Sequence, residues 1–273
     1  MRSSRAYTVC RYWILVVLSV STVFPFFWMF SSSLKPLREV YTWPPTLIPR
    51  ELHLSNFREA FERSNFIRAL INSSLYTGGC IALYVPISLL AAFGFAKYRF
   101  KGDSLLFMLV LAAVMIPIEA VIVPLFGLLL RMRWVGTLQG LVIPRVVEPF
   151  GIFLLRQHFK TIPDDLLDAA RIDGCSELGI LWRVMLPLSL PPLAVIVVFM
   201  FIWRWNELLW PLVIGGNAIR TIQPAIALFK YERFVEWNLL MALCAIAVIP
   251  VLVLFFTLQR YFVEGVVKSG LKF

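Results

Sequence analysis

Long runs of apolar residues dominate the hydrophobic pattern of this chain. Six of them stand out, at about 12–33, 72–96, 104–130, 138–157, 188–211 and 239–260. A helix needs about 20 apolar residues to cross the hydrocarbon core of a bilayer, which is close to the length of each run. Because a chain in hydrocarbon must satisfy its backbone hydrogen bonds internally, the runs are predicted to be helices. The pattern therefore predicts an all-α, polytopic membrane protein with six transmembrane helices.

Every predicted span contains proline, which removes a backbone donor and bends a helix. These prolines are Pro25, Pro86, Pro117, Pro124, Pro144, Pro149, Pro191, Pro192 and Pro250. One interpretation is ordinary tolerance, since neighbouring helices in a bundle compensate for the lost hydrogen bond. Prolines in all six runs favour the other interpretation, a bundle of bent helices around a pathway.

Composition supports the membrane class. The chain is 60% apolar and 15% charged, whereas soluble domains are about half apolar and a quarter charged. The net charge of +10 would suit a nucleic-acid partner, but the basic residues flank apolar runs, as is typical at membrane surfaces. No nucleic acid is therefore expected. The four cysteines are far apart and have no metal-ligand spacing, so they predict neither a metal site nor a disulfide framework: Cys10, Cys80, Cys175 and Cys244.

Basic residues set the predicted orientation. The first run follows Arg2, Arg5 and Arg11 and resembles a signal peptide, but it is longer than the usual signal core. A retained first span is therefore predicted, with cleavage after it as the alternative. The basic amino terminus and the short loop KYRFKGD favour the cytoplasmic side, although the difference in lysine and arginine between the two sides is small. With an even number of spans, both termini are predicted to be cytoplasmic.

The runs also predict the organisation of the chain. Residues 1–33 form the amino-terminal tail and first span, and residues 34–71 form an extracytoplasmic segment. Residues 72–260 form the core with the other spans and a cytoplasmic loop at about 158–187, and residues 261–273 form a cytoplasmic tail.

The predicted cytoplasmic loop begins with the charged helix IPDDLLDAARIDG. Pro163 suits the start of a helix, and Asp164 and Asp165 then lie near its positive dipole end. Leu166, Ala169 and Ala170 are predicted to share one face.

Gly174 is placed to end this helix in a left-handed conformation. Ser176 is predicted to cap a second short helix that Pro187 ends. Such a helix–turn–helix on the membrane surface is either an interfacial element without a partner or a docking surface.

Sequence motifs for catalysis are missing. The chain has no G-x-x-x-x-G-K-[ST], no H-E-x-x-H and no G-x-S-x-G. Its two histidines, His53 and His158, fall in predicted loops or at span ends. No catalytic residue is therefore predicted, and energy for any transport must come from another polypeptide.

Charged and polar residues inside the spans are the remaining candidates: Glu119, Arg145, Glu148, Arg204, Asn206 and Glu207. A charge at the centre of a membrane helix costs about 2.5–3.5 kcal/mol on insertion scales, so such residues normally face a cavity or a partner. Arg204 and Glu207 are three residues apart and can pair on one helix face.

The charged loop resembles the EAA loop of ABC-importer permeases, which has E-A-A, two residues, D-G, and then about nine residues to I-x-L-P. The matching residues are Asp168, Ala169, Ala170, Asp173, Gly174, Leu186 and Pro187. Three departures are conservative in charge or size, namely Asp168 for Glu, Cys175 for Ala and Val184 for Ile. The stretches SSLKP, INSSL, FAKYRFKG, MIPIEAVIVPLF and WNELLWPL extend the resemblance to carbohydrate-type permeases, the group of the maltose importer.

This resemblance implies a type I ABC-importer permease bundle in the bacterial plasma membrane. The chain would be a non-catalytic subunit of a sugar importer and form half of the pathway. The matched loop residues would couple it to a separate ATPase. ATP and magnesium would bind to that partner, and this chain would bind no cofactor. The other expected partners are a second homologous permease, a second ATP-binding subunit, an extracytoplasmic substrate-binding protein, the sugar and membrane lipid.

Alternatives stay open at this point. A glycerol-3-phosphate or glycerophosphodiester importer shares these motifs, and a stand-alone secondary transporter or channel would need no docking helix. The candidates Glu119, Glu148, Arg204, Asn206 and Glu207 are either gating and packing residues or direct contacts of the sugar.

Overall fold

Helices make up all of the regular structure in the part of the chain that the structure, a computed structural model, describes. That part comprises residues 5–230 and 235–270. Arg2, one of the basic residues used for the predicted orientation, lies outside it, as do residues 271–273 of the predicted tail.

The α-helices, numbered in chain order, are α1 (Arg5–Ser33), α2 (Leu37–Val40), α3 (Ser55–Ser64), α4 (Phe66–Lys97), α5 (Asp103–Ala112), α6 (Ile118–Arg131), α7 (Leu138–Val142), α8 (Pro149–Phe159), α9 (Asp164–Ile172), α10 (Glu177–Ile180), α11 (Leu186–Leu188), α12 (Leu190–Trp205), α13 (Ile222–Lys230) and α14 (Trp237–Gly270). Short 3-10 turns follow α5 and α7, at Ala113–Met115 and Ile143–Arg145. Two π-helical turns lie at Leu181–Met185 and Pro211–Gly215.

Three helices are continuous and apolar over enough residues to span a membrane: α1, α4 and α14. Three further spans are bent pairs of helices, which gives up to six spans in the described chain by length and composition. The prediction of an all-α protein with six apolar spans is therefore confirmed.

Proline has two different outcomes in these spans. The third run is not one helix, because the chain bends by 98° where Pro117 separates Asp103–Met115 from Ile118–Arg131. The fourth run bends by 43° before Pro149. Pro25, Pro86 and Pro250 instead lie inside continuous helices. The expected bending thus occurs at only some of the prolines, because the packing around each one decides whether the helix continues.

The chain divides into two compact units. In the first, residues 1–67 and 225–249, polar side chains organise the segment after α1. The buried amide of Asn56 donates to the carbonyls of Ser33 (2.8 Å) and Lys35 (2.9 Å). Buried Glu39 accepts hydrogen bonds from the Thr46 hydroxyl and the Arg50 amide. The segment predicted as extracytoplasmic is therefore ordered by its own hydrogen bonds, and α4 starts at Phe66, within the predicted 34–71 segment.

The second unit comprises residues 68–224 and 250–273. Its core is formed along one face of α4, whose buried residues lie mostly three to five positions apart: Tyr76, Cys80, Tyr84, Leu89, Ala92 and Phe93. They belong to one cluster with side chains from α7, α8, α9, α12 and the π-helical turns. A side chain at Gly151 of α8 would clash with the Tyr84 hydroxyl, so glycine permits this close approach to α4. Helix α4 is thus the central packing element of this unit.

Candidate functional site

The predicted cytoplasmic loop forms two helical segments joined at a glycine. Gly174 has φ +81°, the left-handed conformation that the sequence predicts. Its amide donates to the carbonyl of Arg171 (3.0 Å), and the amide of Cys175 donates to the carbonyl of Ala170 (2.9 Å). These two hydrogen bonds form a Schellman motif, which satisfies the last carbonyls of α9. The turn is therefore fixed by its own backbone.

The second segment is longer than predicted. The Ser176 hydroxyl caps α10 by accepting from the Gly179 amide (3.2 Å). The chain then stays helical through the π-helical turn and α11 to Leu188. The sequence predicts that Pro187 ends this helix, and the helix ends one residue later. The break comes at Ser189, where the chain bends by 85° into α12.

The two faces of α9 also differ from the prediction. Leu167 and Ala170 are buried, whereas Leu166, Ala169 and Ile172 are exposed, with Ile172 at 87%. The expected shared face of Leu166, Ala169 and Ala170 is therefore split, because Ala170 packs inward. We call Asp164–Leu188 the docking element. Its exposed surface combines apolar and acidic side chains: Leu166, Asp168, Ile172, Asp173, Leu178 and Trp182.

Ion pairs stiffen the docking element. Arg171 donates to Glu177 (2.8 Å) and Asp168 (2.7 Å), which ties α9 to α10. Hydrogen bonds from Arg171, and then from Tyr98, lower the pKa of the Glu177 carboxyl. A lowered carboxyl pKa means that the ion pair is complete above the ordinary value of about 4 and is lost only as pH falls below it. The pair is therefore intact at neutral pH.

Four of the charged residues in the spans meet in one place. Arg204 pairs with Glu148 and with Glu207 (3.2 Å), and Arg145 pairs with Glu207 (2.6 Å). The Tyr76 hydroxyl also donates to Glu207. We call these four charges and Tyr76 the charge cluster. Its guanidinium and carboxylate charges balance.

The charge cluster lies where helices are interrupted. Arg145 ends the 3-10 turn after α7, and Glu148 directly precedes α8. The Arg204 guanidinium also donates to the carbonyl of Arg145 (3.1 Å), a backbone group near this interruption. Broken helices leave polar backbone groups that need partners in an apolar surrounding. The cluster therefore supplies hydrogen bonds as well as charge compensation.

The predicted pair of Arg204 and Glu207 is present, but not on one helix face. Helix α12 ends at Trp205, and Glu207 lies in the break after it. Pro211 begins the π-helical turn that follows the break. The first turn of a helical segment needs no amide at that position, so proline is accommodated there.

The charge cluster is buried, and burying its ions costs free energy. Arg204 is the most buried member, with 2% of its side chain exposed. The Nε atoms of Arg145 and Arg204 are buried and have no partner in the described part of the chain. Taking ions out of water is offset only when geometry is good and all donors are satisfied. The two unpartnered donors are therefore a cost that the ion pairs of the cluster must offset.

Two predicted candidates are not brought into the cluster. Glu119 is exposed in the first turn of α6, just after the 98° bend. Asn206 is exposed; its amide nitrogen donates to the carbonyl of Ile202 (2.9 Å) and its oxygen accepts from Gln223 (3.2 Å). Their predicted location on a pathway or gate therefore has no support from the cluster geometry.

Two aromatic residues lie beside the cluster, and sequence reasoning missed one of them, Tyr76, which bonds Glu207. Trp210 lies under the Arg145 guanidinium, 5.8 Å from it, and its indole donates to the carbonyl of Leu141. From the sequence, Trp210 is an aromatic residue that either stacks on a sugar ring or packs. Aromatic residues are common in apolar runs, where they usually pack, so Tyr76 gave no signal. No group of three metal-ligating side chains comes together within residues 5–230 and 235–270.

Broken apolar spans, a buried charge cluster and a surface helix–turn–helix define a polytopic membrane transport subunit. The chain belongs to the family of binding-protein-dependent transport system inner membrane components, whose family model matches residues 84–268. The resemblance to ABC-importer permeases is therefore confirmed, and so is the type I permease fold. The family places the chain in the inner membrane, in systems that depend on a binding protein.

Similar proteins span nearly the whole chain. The arabinooligosaccharides transport system permease protein AraQ of Halalkalibacterium halodurans is 33% identical, covering 95% of this chain and 96% of its own length. The sn-glycerol-3-phosphate transport system permease protein UgpE of Escherichia coli is 32% identical over 93% of this chain and 94% of its own. A chain of a bacterial ABC transporter that imports the acidic polysaccharide alginate has the same fold, with a TM-score of 0.85 and 22% identity over 96% of this chain and 98% of that one.

Proposed function

We propose that this chain is a permease subunit of an ATP-driven importer of sugars or oligosaccharides. Membership of this family supports a role in an import system. The AraQ relative is named an arabinooligosaccharide transport permease, which supports a sugar as the substrate. The chain would form half of the translocation pathway and carry no catalytic residue of its own. Its relatives are transport permeases, which supports this non-catalytic role.

The observation that carries the proposal is the docking element. Its outward face exposes apolar side chains, small residues and aspartates, among them Asp165, Asp168 and Asp173. An exposed apolar surface rimmed by charge is typical of a protein interaction site. We propose that an ATP-binding subunit docks here, with two such subunits, a second homologous permease and a substrate-binding protein in the complete complex. ATP and magnesium would bind to the ATPase subunits.

A second candidate substrate class has support from one comparison. The UgpE relative is named for sn-glycerol-3-phosphate transport and is 32% identical to this chain. Uptake by the reconstituted complex with its binding protein separates the two classes. Uptake of a radiolabelled oligosaccharide that requires ATP supports the sugar proposal. Uptake of glycerol-3-phosphate alone would replace it with the second candidate, and uptake without ATPase subunits would reject both.

The charge cluster has a proposed role in gating. We expect Glu207→Gln to change the balance between inward-open and outward-open states, because it removes one charge from a neutral buried group of four. Basal ATPase activity of the reconstituted complex should therefore change severalfold, while the order of preference among sugars stays as in wild type. A changed sugar preference with unaltered ATPase activity would instead place Glu207 in the substrate site.

Both termini are proposed to be cytoplasmic. The even number of spans and the basic residues near the carboxyl end support this orientation. A carboxyl-terminal fusion to green fluorescent protein should fluoresce in cells, and the same fusion to alkaline phosphatase should be inactive. A strongly active phosphatase fusion would contradict the orientation. A phosphatase fusion within residues 34–71, expected to be active, provides the control.

A further inference from the structure

The end of α4 is fastened to the docking element by a buried lysine. Lys97, the last residue of α4, has only 5% of its side chain exposed. Its ammonium donates to the carbonyl of Ile162 (2.6 Å) and to the carboxylate of Asp164 (2.6 Å). Asp164 is the first residue of α9. Lys97 therefore binds the amino-terminal end of α9, the first helix of the docking element.

Tyr98 holds the other end of α9. Its hydroxyl donates to Glu177, which begins the segment after the Schellman turn and is also bound by Arg171. The Tyr98 ring packs edge-on against Phe93 of α4, with ring centroids 5.4 Å apart. Phe93 in turn packs edge-on against Phe159 at the end of α8 (6.4 Å). Lys97, at the end of α4, and Tyr98, directly after it, therefore bind residues at the two ends of α9.

The same helix reaches the charge cluster. Tyr76 of α4 donates to Glu207, and about 32 Å of helix separates it from Lys97 at the rise of an α-helix. Helix α4 is continuous over this length, including Pro86. The chain joins the docking element directly to α8 and α12, whereas α4 meets it through side chains, in the shared apolar cluster and in the polar contacts of Lys97 and Tyr98. Side-chain contacts therefore decide whether α4 moves with the docking element.

We propose that α4 is a lever between the docking element and the charge cluster, with Lys97 and Tyr98 as the positioning residues at one end and Tyr76 at the other. This inference rests on the proposed docking of an ATPase on α9. A displacement of α9 would carry the end of α4 with it and change the hydrogen bond from Tyr76 to Glu207. Packed helices and charge pairs that have two discrete arrangements are suitable carriers of such coupling.

The test uses the complete complex with its binding protein in proteoliposomes. Tyr98→Phe removes only the hydroxyl, and Lys97→Met removes the ammonium but keeps the length of the side chain. Both variants should retain the ATPase subunits on affinity purification, yet hydrolyse severalfold more ATP per molecule transported. Lys101→Met is the matched control, because Lys101 is an exposed lysine of the same loop with no ion pair among those the structure gives. Its ratio should equal that of wild type.

A double-mutant cycle tests whether the two ends of α4 are energetically coupled. If α4 links the two ends, Tyr76→Phe combined with Tyr98→Phe should cause less than the sum of the two single losses, because both changes weaken the same link. Additive losses, or wild-type ratios for Lys97→Met and Tyr98→Phe with the ATPase bound, would overturn the lever alone. Failure of the wild-type complex to retain the ATPase would overturn the docking proposal. If Lys97→Met does not accumulate, the near-isosteric Tyr98→Phe decides.

Discussion

Replacing Arg204 by methionine should prevent the permease from accumulating in a stable form. The guanidinium is almost fully buried and pairs with Glu148 and Glu207. Its loss leaves the Glu148 carboxylate without a cationic partner, whereas Glu207 keeps its ion pair with Arg145 and its hydrogen bond from Tyr76. Removing one partner of a buried ion pair typically costs about 3–5 kcal/mol. We therefore expect loss of most of the folded complex, measured by size-exclusion chromatography after stepwise heating in detergent.

A double variant distinguishes the effect of the unpaired Glu148 carboxylate from the effect of lost packing. Arg204→Met combined with Glu148→Gln should recover part of the stability, because the uncompensated carboxylate is then neutral. Arg131→Met serves as the control, since Arg131 is exposed at the end of α6 and should behave as wild type. A melting profile of Arg204→Met that matches this control would contradict the importance of the cluster for stability.

Replacing Gly174 by tryptophan should leave the permease in the membrane but abolish its binding to the ATPase and its transport. A side chain in the left-handed conformation costs about 1–2 kcal/mol, and φ at Gly174 is +81°. Space around it is open in this chain, so the added bulk points away from the core, toward the surface where we propose that the ATPase docks. The measurement is co-purification of the ATPase from detergent-solubilised membranes, together with uptake in whole cells.

Two variants distinguish backbone strain from lost docking. Gly102 has a similar φ of +86° with open space around it, but it precedes α5 outside the docking element. Gly102→Trp should carry a similar strain and keep the ATPase bound. Gly174→Asn adds less bulk in a residue that tolerates the left-handed region, and should bind the ATPase better than Gly174→Trp. Wild-type ATPase binding and uptake for Gly174→Trp would refute the docking surface.

Local features of the docking element were the most predictable from sequence. The helix end at Gly174 and the cap at Ser176 depend on hydrogen bonds between residues a few positions apart. The segment after the cap was less predictable. Pro187 suggests a helix end, but the π-helical turn before it allows the chain to stay helical until Ser189. Whether a proline ends a helix therefore depends on the backbone conformation of the residues before it.

The sequence by itself determined the apolar spans, the helical class and the ends of the docking helix, because hydrophobic length and nearby hydrogen bonds act within one segment. Only the tertiary structure decided that Arg145 and Glu148 meet Arg204 and Glu207, which lie about sixty residues further along the chain. It also decided that Pro117 bends its span whereas Pro86 does not. Both outcomes depend on which helices pack side by side, and that packing is set by the fit of whole surfaces, which no single segment encodes.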